Sequence, residues 1–67
     1  MPNLIEGLQS EMNRVRELMP HYDLPNGAGE FALGQMRLSI ERAERSIATG
    51  DPIEGLLAYE ELQSWQG

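Results

Sequence analysis

Cysteine and lysine are both absent from this chain, and histidine occurs once, at His21. Without cysteine the chain can form neither disulfides nor thiolate metal sites, and a single histidine excludes a multi-histidine zinc site. We therefore expect no metal and no other cofactor. A chain of 67 residues buries only about 60% of the surface that its unfolded form exposes. We expect oligomerisation or partner binding to supplement the core, unless the chain is a self-sufficient small bundle.

The chain has five basic residues, all of them arginines, and eleven acidic residues, so the formal net charge is −6. Because no basic stripe can form, binding to nucleic-acid phosphates and to anionic membranes is disfavoured. No apolar run approaches the ~20 residues that span a bilayer, and the N-terminus lacks the basic and apolar segments of a signal peptide. The sequence therefore predicts a cytoplasmic protein with a protein partner and without membrane or direct nucleic-acid contact.

The hydrophobic pattern predicts an all-α fold, with three helices in a single domain over residues 1–67. Asn3 and Glu6 match a capping box at the start of the first helix, and Pro20 ends or kinks it. The second helix is predicted from about Glu30 to Thr49, because apolar residues recur there at steps of three and four. These seam residues are Leu33, Met36, Ile40, Ala43 and Ile47.

Connections between the predicted helices carry distinct turn signals. The first, residues 20–30, contains two prolines and two glycines; we expect a loop whose Tyr22 and Leu24 fold back over the core. At the second, Gly50 stops one helix and Asp51-Pro52 starts the next. Two helices joined over so few residues are predicted to be antiparallel neighbours, a helical hairpin.

The third helix carries apolar residues on two nearly opposite arcs. One arc consists of Ile53, Leu56 and Leu57, and the other consists of Ala58, Leu62 and Trp65, with Tyr59 between them. A helix that is apolar nearly all round is normally buried on several sides. Because so short a chain cannot surround it, we expect one arc to pack on the first two helices and something else to cover the other.

We expect the arc that ends in Trp65 to be a protein interface. Trp65, Leu62 and Tyr59 would be its anchors, since aromatic residues are enriched at binding hot spots. The interface would also include Ala58 and the acidic residues Glu54, Glu60 and Glu61. The alternative is that the helix frays before Trp65, or that Trp65 curls back onto the core.

Two other segments invite a chemical interpretation that their residues do not support. His21 lies beside Tyr22 and Asp23, but adjacent residues do not converge on one site, and such a histidine is typical of a polar loop after a helix. The glycine-rich residues 26–30 precede a helix, as phosphate-binding loops do, yet they lack a P-loop lysine and a preceding strand. We therefore predict that the chain is not an enzyme.

Four segments form a recognisable combination: residues 14–18 (RVREL) followed by Pro20 and Tyr22, residues 27–32 (GAGEFA), residues 43–51 (AERSIATGD) and residues 59–62 (YEEL). Together they resemble a group of small proteins encoded by bacteriophages and prophages, mostly of unassigned function. The resemblance covers residues 13–63 and transfers no catalytic residue. It implies a protein that acts by occupying a bacterial host protein, and inhibitors of bacterial defence systems, including anti-CRISPR proteins, are the obvious class.

These observations predict a non-enzymatic protein-binding module of phage or prophage origin. Its apolar and acidic third helix would close a homodimer or dock on a bacterial host protein, and the small size favours a homo-oligomer. One alternative is an inhibitor of a defence system that mimics nucleic acid with its carboxylates. A second alternative is a purely structural small phage protein.

Overall fold

The computed structural model describes residues 3–65, which form three α-helices and one short 3-10 helix. Helix α1 spans Leu4–Leu18 and leads into the 3-10 helix Met19–Tyr22, α2 spans Glu30–Thr49, and α3 spans Pro52–Gln63. No strand occurs among these residues, so the predicted three-helix, all-α fold is confirmed. None of the helices that they form combines the length and the apolar character needed to cross a bilayer.

The helix ends follow from local chemistry. The Asn3 side chain accepts a hydrogen bond of 2.8 Å from the Glu6 amide, which satisfies one of the free N–H groups that open α1. Helix α1 ends at Leu18, and Pro20 lies in the tighter 3-10 turn that follows. Helix α2 ends at Gly50, whose φ of 69° is the left-handed conformation that glycine adopts without steric cost.

The connection between α2 and α3 is as short as the sequence indicates. The Asp51 carboxylate accepts hydrogen bonds from the amides of Ile53 at 3.0 Å and Glu54 at 3.3 Å, and Pro52 is the first residue of α3. Helix α3 then returns along α2, so that Glu61 contacts Ser39 on the facing side. The predicted antiparallel hairpin is confirmed.

One hydrophobic core lies between the three helices, with three of its eight buried members from α1 and five from the hairpin. Its buried members are Leu8, Met12, Val15, Met36, Ile40, Ala43, Ala58 and Leu62. Every buried side-chain nitrogen or oxygen among the described residues has a hydrogen-bond partner. Residues 3–65 therefore complete a core within one chain, without a second protomer.

The loop between the 3-10 helix and α2 packs more tightly than its composition suggests. Tyr22 packs against the core as predicted, whereas Leu24 remains 47% exposed, so the expectation that it folds back is wrong. Gly29 is buried, and a Cβ at this position would overlap the carbonyl oxygen of Tyr22. Only glycine permits this close approach of the loop to the preceding turn.

Candidate functional site

The arc of α3 predicted to be an interface lies in the core instead. Leu62 has no exposed surface and Ala58 has 4%, so neither side chain is available to a partner. Tyr59 and Trp65 are partly buried and pack against the same core. Burial therefore removes Leu62 and Ala58 from the predicted set of anchors, and Trp65 returns to the core as the alternative expects; partner binding by the partly exposed Tyr59 and Trp65 stays a prediction.

Small residues decide which side of α3 turns inward. Gly55 is buried beside Ala58, and a Cβ added to it would lie 2.9 Å from Cδ2 of Leu4 on α1. Helices approach closely only where side chains are small, because a larger residue would hold the two backbones apart. The spacing of Gly55, Ala58 and Leu62 by three and four is the sequence signal that identifies the inward side.

Tyr59 occupies a second close contact between α1 and α3. A Cβ added to Gly7 of α1 would lie 3.1 Å from Cε2 of the Tyr59 ring, so the ring covers the bare backbone of the glycine. Tyr59 thus joins two helices of the same chain, and its role as a partner anchor stays a prediction.

The end of α3 is held by a polar network that we call the C-terminal clasp, formed by Arg14, Ser39, Glu61 and Trp65. Arg14 donates hydrogen bonds to the carbonyl oxygens of Trp65 at 2.7 Å and Leu62 at 2.9 Å. The Leu62 carbonyl lies in the last turn of α3 and also accepts a hydrogen bond from the Trp65 amide at 3.2 Å, whereas Trp65 follows the end of the helix. The guanidinium adds charged donors at this end of α3 and opposes the negative end of the helix dipole.

On the other side of the clasp, Ser39 joins the indole to the carboxylate of Glu61. The Trp65 indole Nε1 donates to the Ser39 hydroxyl at 3.1 Å, and that hydroxyl donates to Glu61 Oε1 at 2.7 Å. Arg42 donates to both oxygens of the same carboxylate, at 3.0 and 3.1 Å. Glu61 therefore acts within the fold, and its charge is paired.

The opposite arc of α3 faces away from the core, and we call it the outward arc. It consists of Ile53, Leu56 and Leu57, which are 69%, 57% and 57% exposed. At about 100° per residue, the centre of this arc lies roughly 180° from Leu62. Three of the seven large exposed apolar side chains among the described residues lie on this arc. Single exposed apolar side chains are unremarkable, but these three share adjacent turns of one helix.

Acidic residues adjoin the outward arc. Glu60 follows Leu56 by four residues and Leu57 by three, so it extends the same ridge by one turn. Glu54 lies on the flank that faces α2, in a groove that also contains Asp51 and Arg45. The carboxylates of Glu54 and Glu60 form no ion pair or hydrogen bond within residues 3–65. Of the predicted site residues, these two are the ones that the structure leaves exposed.

A second, smaller apolar stripe runs along the outside of α2. Phe31 is 80% exposed and Leu38 is 41% exposed. Gly34 lies between them, and a Cβ added there would contact nothing within 4 Å. The stripe offers two large side chains against three on the outward arc, and they stand two helical turns apart.

The remaining surface of residues 3–65 carries the one histidine and several open grooves. Among residues 3–65, no three His, Asp or Glu side chains converge as they would around a metal ion. His21 lines a shallow groove with Arg14, Leu18 and Tyr22, and no carboxylate lines that groove. An apolar cavity of about 170 Å³ lies between α1 and the hairpin turn, and the open grooves beside His21 and between α1 and α2 measure about 500 and 490 Å³.

Comparison of the chain with protein-family models, with curated proteins and with solved structures gives no match. The resemblance to small proteins of bacteriophages and prophages therefore stays a prediction. What the structure adds is geometric: a closed core, a clasped helix end, and an apolar arc on the outside of α3.

Proposed function

We propose that this chain is a non-enzymatic protein-binding module and that the outward arc of α3 is its contact surface. The observation that carries the proposal is the exposure of Ile53, Leu56 and Leu57 on a helix whose other side is already fully packed. The proposal keeps α3 as the binding element predicted from the sequence, but it moves the contact to the opposite side of that helix.

The fold does not need these three side chains. The core cluster is closed by Ala58 and Leu62 from α3, and it leaves no buried polar atom unsatisfied among the described residues. Polar residues with high helix propensity at positions 53, 56 and 57 would form the same helix and would make the protein more soluble. Large aliphatic residues on this side are therefore better explained by a contact with another molecule.

Burial of the outward arc would contribute a substantial part of a binding free energy. Complete burial of an Ile or Leu side chain is worth about 1.5–3 kcal/mol. Since more than half of each of the three side chains is exposed, covering them would release roughly 3–6 kcal/mol in total. Association has its own entropic cost, so this arc would form the centre of an interface and flanking contacts would contribute the rest.

Mimicry of nucleic acid is less well supported than protein binding. Three carboxylates lie close to an arginine nitrogen: Glu11 at 2.6 Å, Glu61 at 3.0 Å and Glu44 at 3.6 Å. Arginines of α1 and α2 therefore pair with one carboxylate on each of the three helices, which works against a continuous acidic surface. Occupation of a bacterial host protein, which the phage resemblance implies, is compatible with the outward arc and forms part of the proposal.

Site-specific photo-cross-linking tests this proposal. A photoreactive amino acid is placed at position 57, on the outward arc, and separately at the exposed position Ser10 of α1, in cells of the organism that carries the gene. We expect discrete cross-linked protein products from position 57 that are absent from position 10, whether the partner is a second copy or a host protein. The products should disappear when Leu56→Ser is added.

The Leu56→Ser variant must remain folded for this result to count, and circular dichroism checks it. Because Leu56 is outside the core, the midpoint of thermal unfolding should change by no more than about 4 °C. If positions 57 and 10 give the same products, or if Leu56→Ser leaves the products unchanged, the outward arc is not the contact surface.

A further inference from the structure

We infer that the occupant of the outward arc is a basic amphipathic helix of a different protein, with Lys or Arg placed beside its apolar ridge. This inference rests on the proposed function and specifies the chemistry of the partner. The charged residues beside the arc determine which class of partner binds, because the apolar residues alone would bind many partners.

The shape of the arc favours a helix as the occupant. Ile53, Leu56, Leu57 and Glu60 follow one another at steps of three, one and three, which makes a ridge of the kind that packs into the groove of a facing helix. Helix α3 has 12 residues and is therefore about 18 Å long. A partner helix of three to four turns would match that length.

The charge around the arc favours a basic occupant. Residues 46–67 contain no lysine or arginine, and the carboxylates of Glu54 and Glu60 are exposed and unpaired within residues 3–65. Arg45 lines the groove beside Glu54 without forming an ion pair. Glu60 instead continues the apolar ridge, so a partner that follows the ridge meets this carboxylate.

The same charges disfavour a second copy of the chain as the occupant. Each copy has a formal net charge of −6, and a two-fold contact of the outward arc with itself would bring the same acidic residues of both copies to one interface. Like charges at an interface are a recognised means of excluding wrong partners. A basic helix removes that repulsion and gains attraction over a Debye length of about 10 Å at 0.1 M salt.

Selection from a displayed peptide library tests the inference without knowledge of the natural partner. Random segments of about 15 residues, enough for roughly four helical turns, are selected on the wild-type protein and counter-selected on Leu57→Ser. We expect the enriched segments to carry apolar residues at helical spacing with an excess of Lys and Arg beside them. Binding of an enriched peptide is then measured by fluorescence anisotropy at low and high salt.

Three variants give the expected pattern of affinities for that peptide. Leu57→Ser should weaken binding roughly thirty-fold or more, as loss of an anchor does. Glu60→Gln should weaken it about two- to five-fold at low salt, and the effect should shrink at high salt. Glu17→Gln removes one exposed carboxylate from the outside of α1 and is the matched control, for which we expect no change.

The other results separate this inference from the proposed function. Segments that depend on Leu57 but show no basic excess, or a Glu60→Gln variant that binds as well as wild type, overturn the inference and leave the binding surface in place. If light scattering shows that the protein self-associates and that Leu57→Ser abolishes this, the occupant of the arc is a second copy of the chain and the inference is likewise overturned. If no segment depends on Leu57 and position 57 gives no specific cross-link, the proposed function fails as well.

Discussion

Replacement of Arg14 by alanine should loosen the end of α3 and destabilise the whole domain. Arg14 donates to two carbonyl oxygens at the end of α3, those of Leu62 and Trp65, and also pairs with Glu11 on its own helix at 2.6 Å. Alanine removes all three contacts at once. The Leu62 carbonyl then keeps the Trp65 amide as a donor, at 3.2 Å, and the Trp65 carbonyl loses its bond to the guanidinium.

The expected magnitude follows from the contacts. A hydrogen bond that involves a charged group contributes about 1.5–3 kcal/mol when it is buried, but the Arg14 side chain is 39% exposed, so solvent screening lowers its value. We take about half of the buried figure for each carbonyl contact and add a few tenths of a kcal/mol for the pair with Glu11. The sum is about 2 kcal/mol, which corresponds to a fall in Tm of roughly 8–16 °C for a domain of this size.

Two signals follow the Arg14→Ala variant in one experiment. Circular dichroism at 222 nm, the standard helix wavelength, reports the loss of the three helices. Emission of Trp65, the single tryptophan of the chain, reports whether the indole has left its place beside Ser39. We expect a lower Tm together with red-shifted emission at temperatures where the helices are still formed, because the clasp opens before the core does.

Arg16→Ala is the matched control, since it removes an arginine from the same helix. Arg16 is more exposed, and its pair with Glu44 is longer at 3.6 Å, so its loss should cost less than about 0.5 kcal/mol. Equal Tm values for the two variants would show that the clasp contributes no more than a surface ion pair. An Arg14→Ala variant with unshifted Trp65 emission would refute the proposed role of Arg14 at the end of α3.

Two further predictions use pairs of positions with the same residue type and different surroundings. Leu62→Ala should lower the free energy of unfolding by about 2–5 kcal/mol, whereas Leu57→Ala should change it by no more than about 0.5 kcal/mol. Urea titration measures both values. Equal losses would mean that the inward and outward sides of α3 are assigned wrongly. Gly34→Ala should raise stability by about 0.5–1 kcal/mol because its helical position is open, and Gly29→Ala should lower it by roughly 2 kcal/mol or more because its Cβ overlaps the Tyr22 carbonyl; a stabilising effect at position 29 would contradict the close approach of the loop.

The sequence was sufficient for the elements whose causes are local. Asn3, Gly50 and Asp51 mark helix ends through hydrogen bonds and backbone conformations that span only a few residues, and each one acts as predicted. The seam of α2 follows in the same way from a regular spacing of apolar residues. The hairpin is then a consequence of the short connection, because no other arrangement of two helices can be joined by it.

The inward side of α3 depends on another helix, so the pattern of α3 alone leaves open which arc faces the core. Hot-spot composition favours Trp65 and Leu62 as interface anchors, but it does not say which side of α3 its own chain covers. The deciding fact is the close approach of α1, which requires Gly7 and Gly55 at the contact points. The Arg14 contacts join residues 48 and 51 positions apart, a distance in sequence over which no local pattern gives a signal.

The acidic charge of the chain and the exposed outward arc have a common physical explanation. Three exposed aliphatic side chains on one helix are a liability for a small protein, because they promote nonspecific association. A net charge of −6 opposes that association among copies of the chain, and the unpaired Glu60 places part of the repulsion on the ridge itself. The same carboxylate becomes an attractive contact when the approaching surface is basic. An apolar arc with carboxylates beside it does not bind a second copy of the chain, but it does bind a partner of opposite charge. This accounts for the apolar surface that lies outside the core.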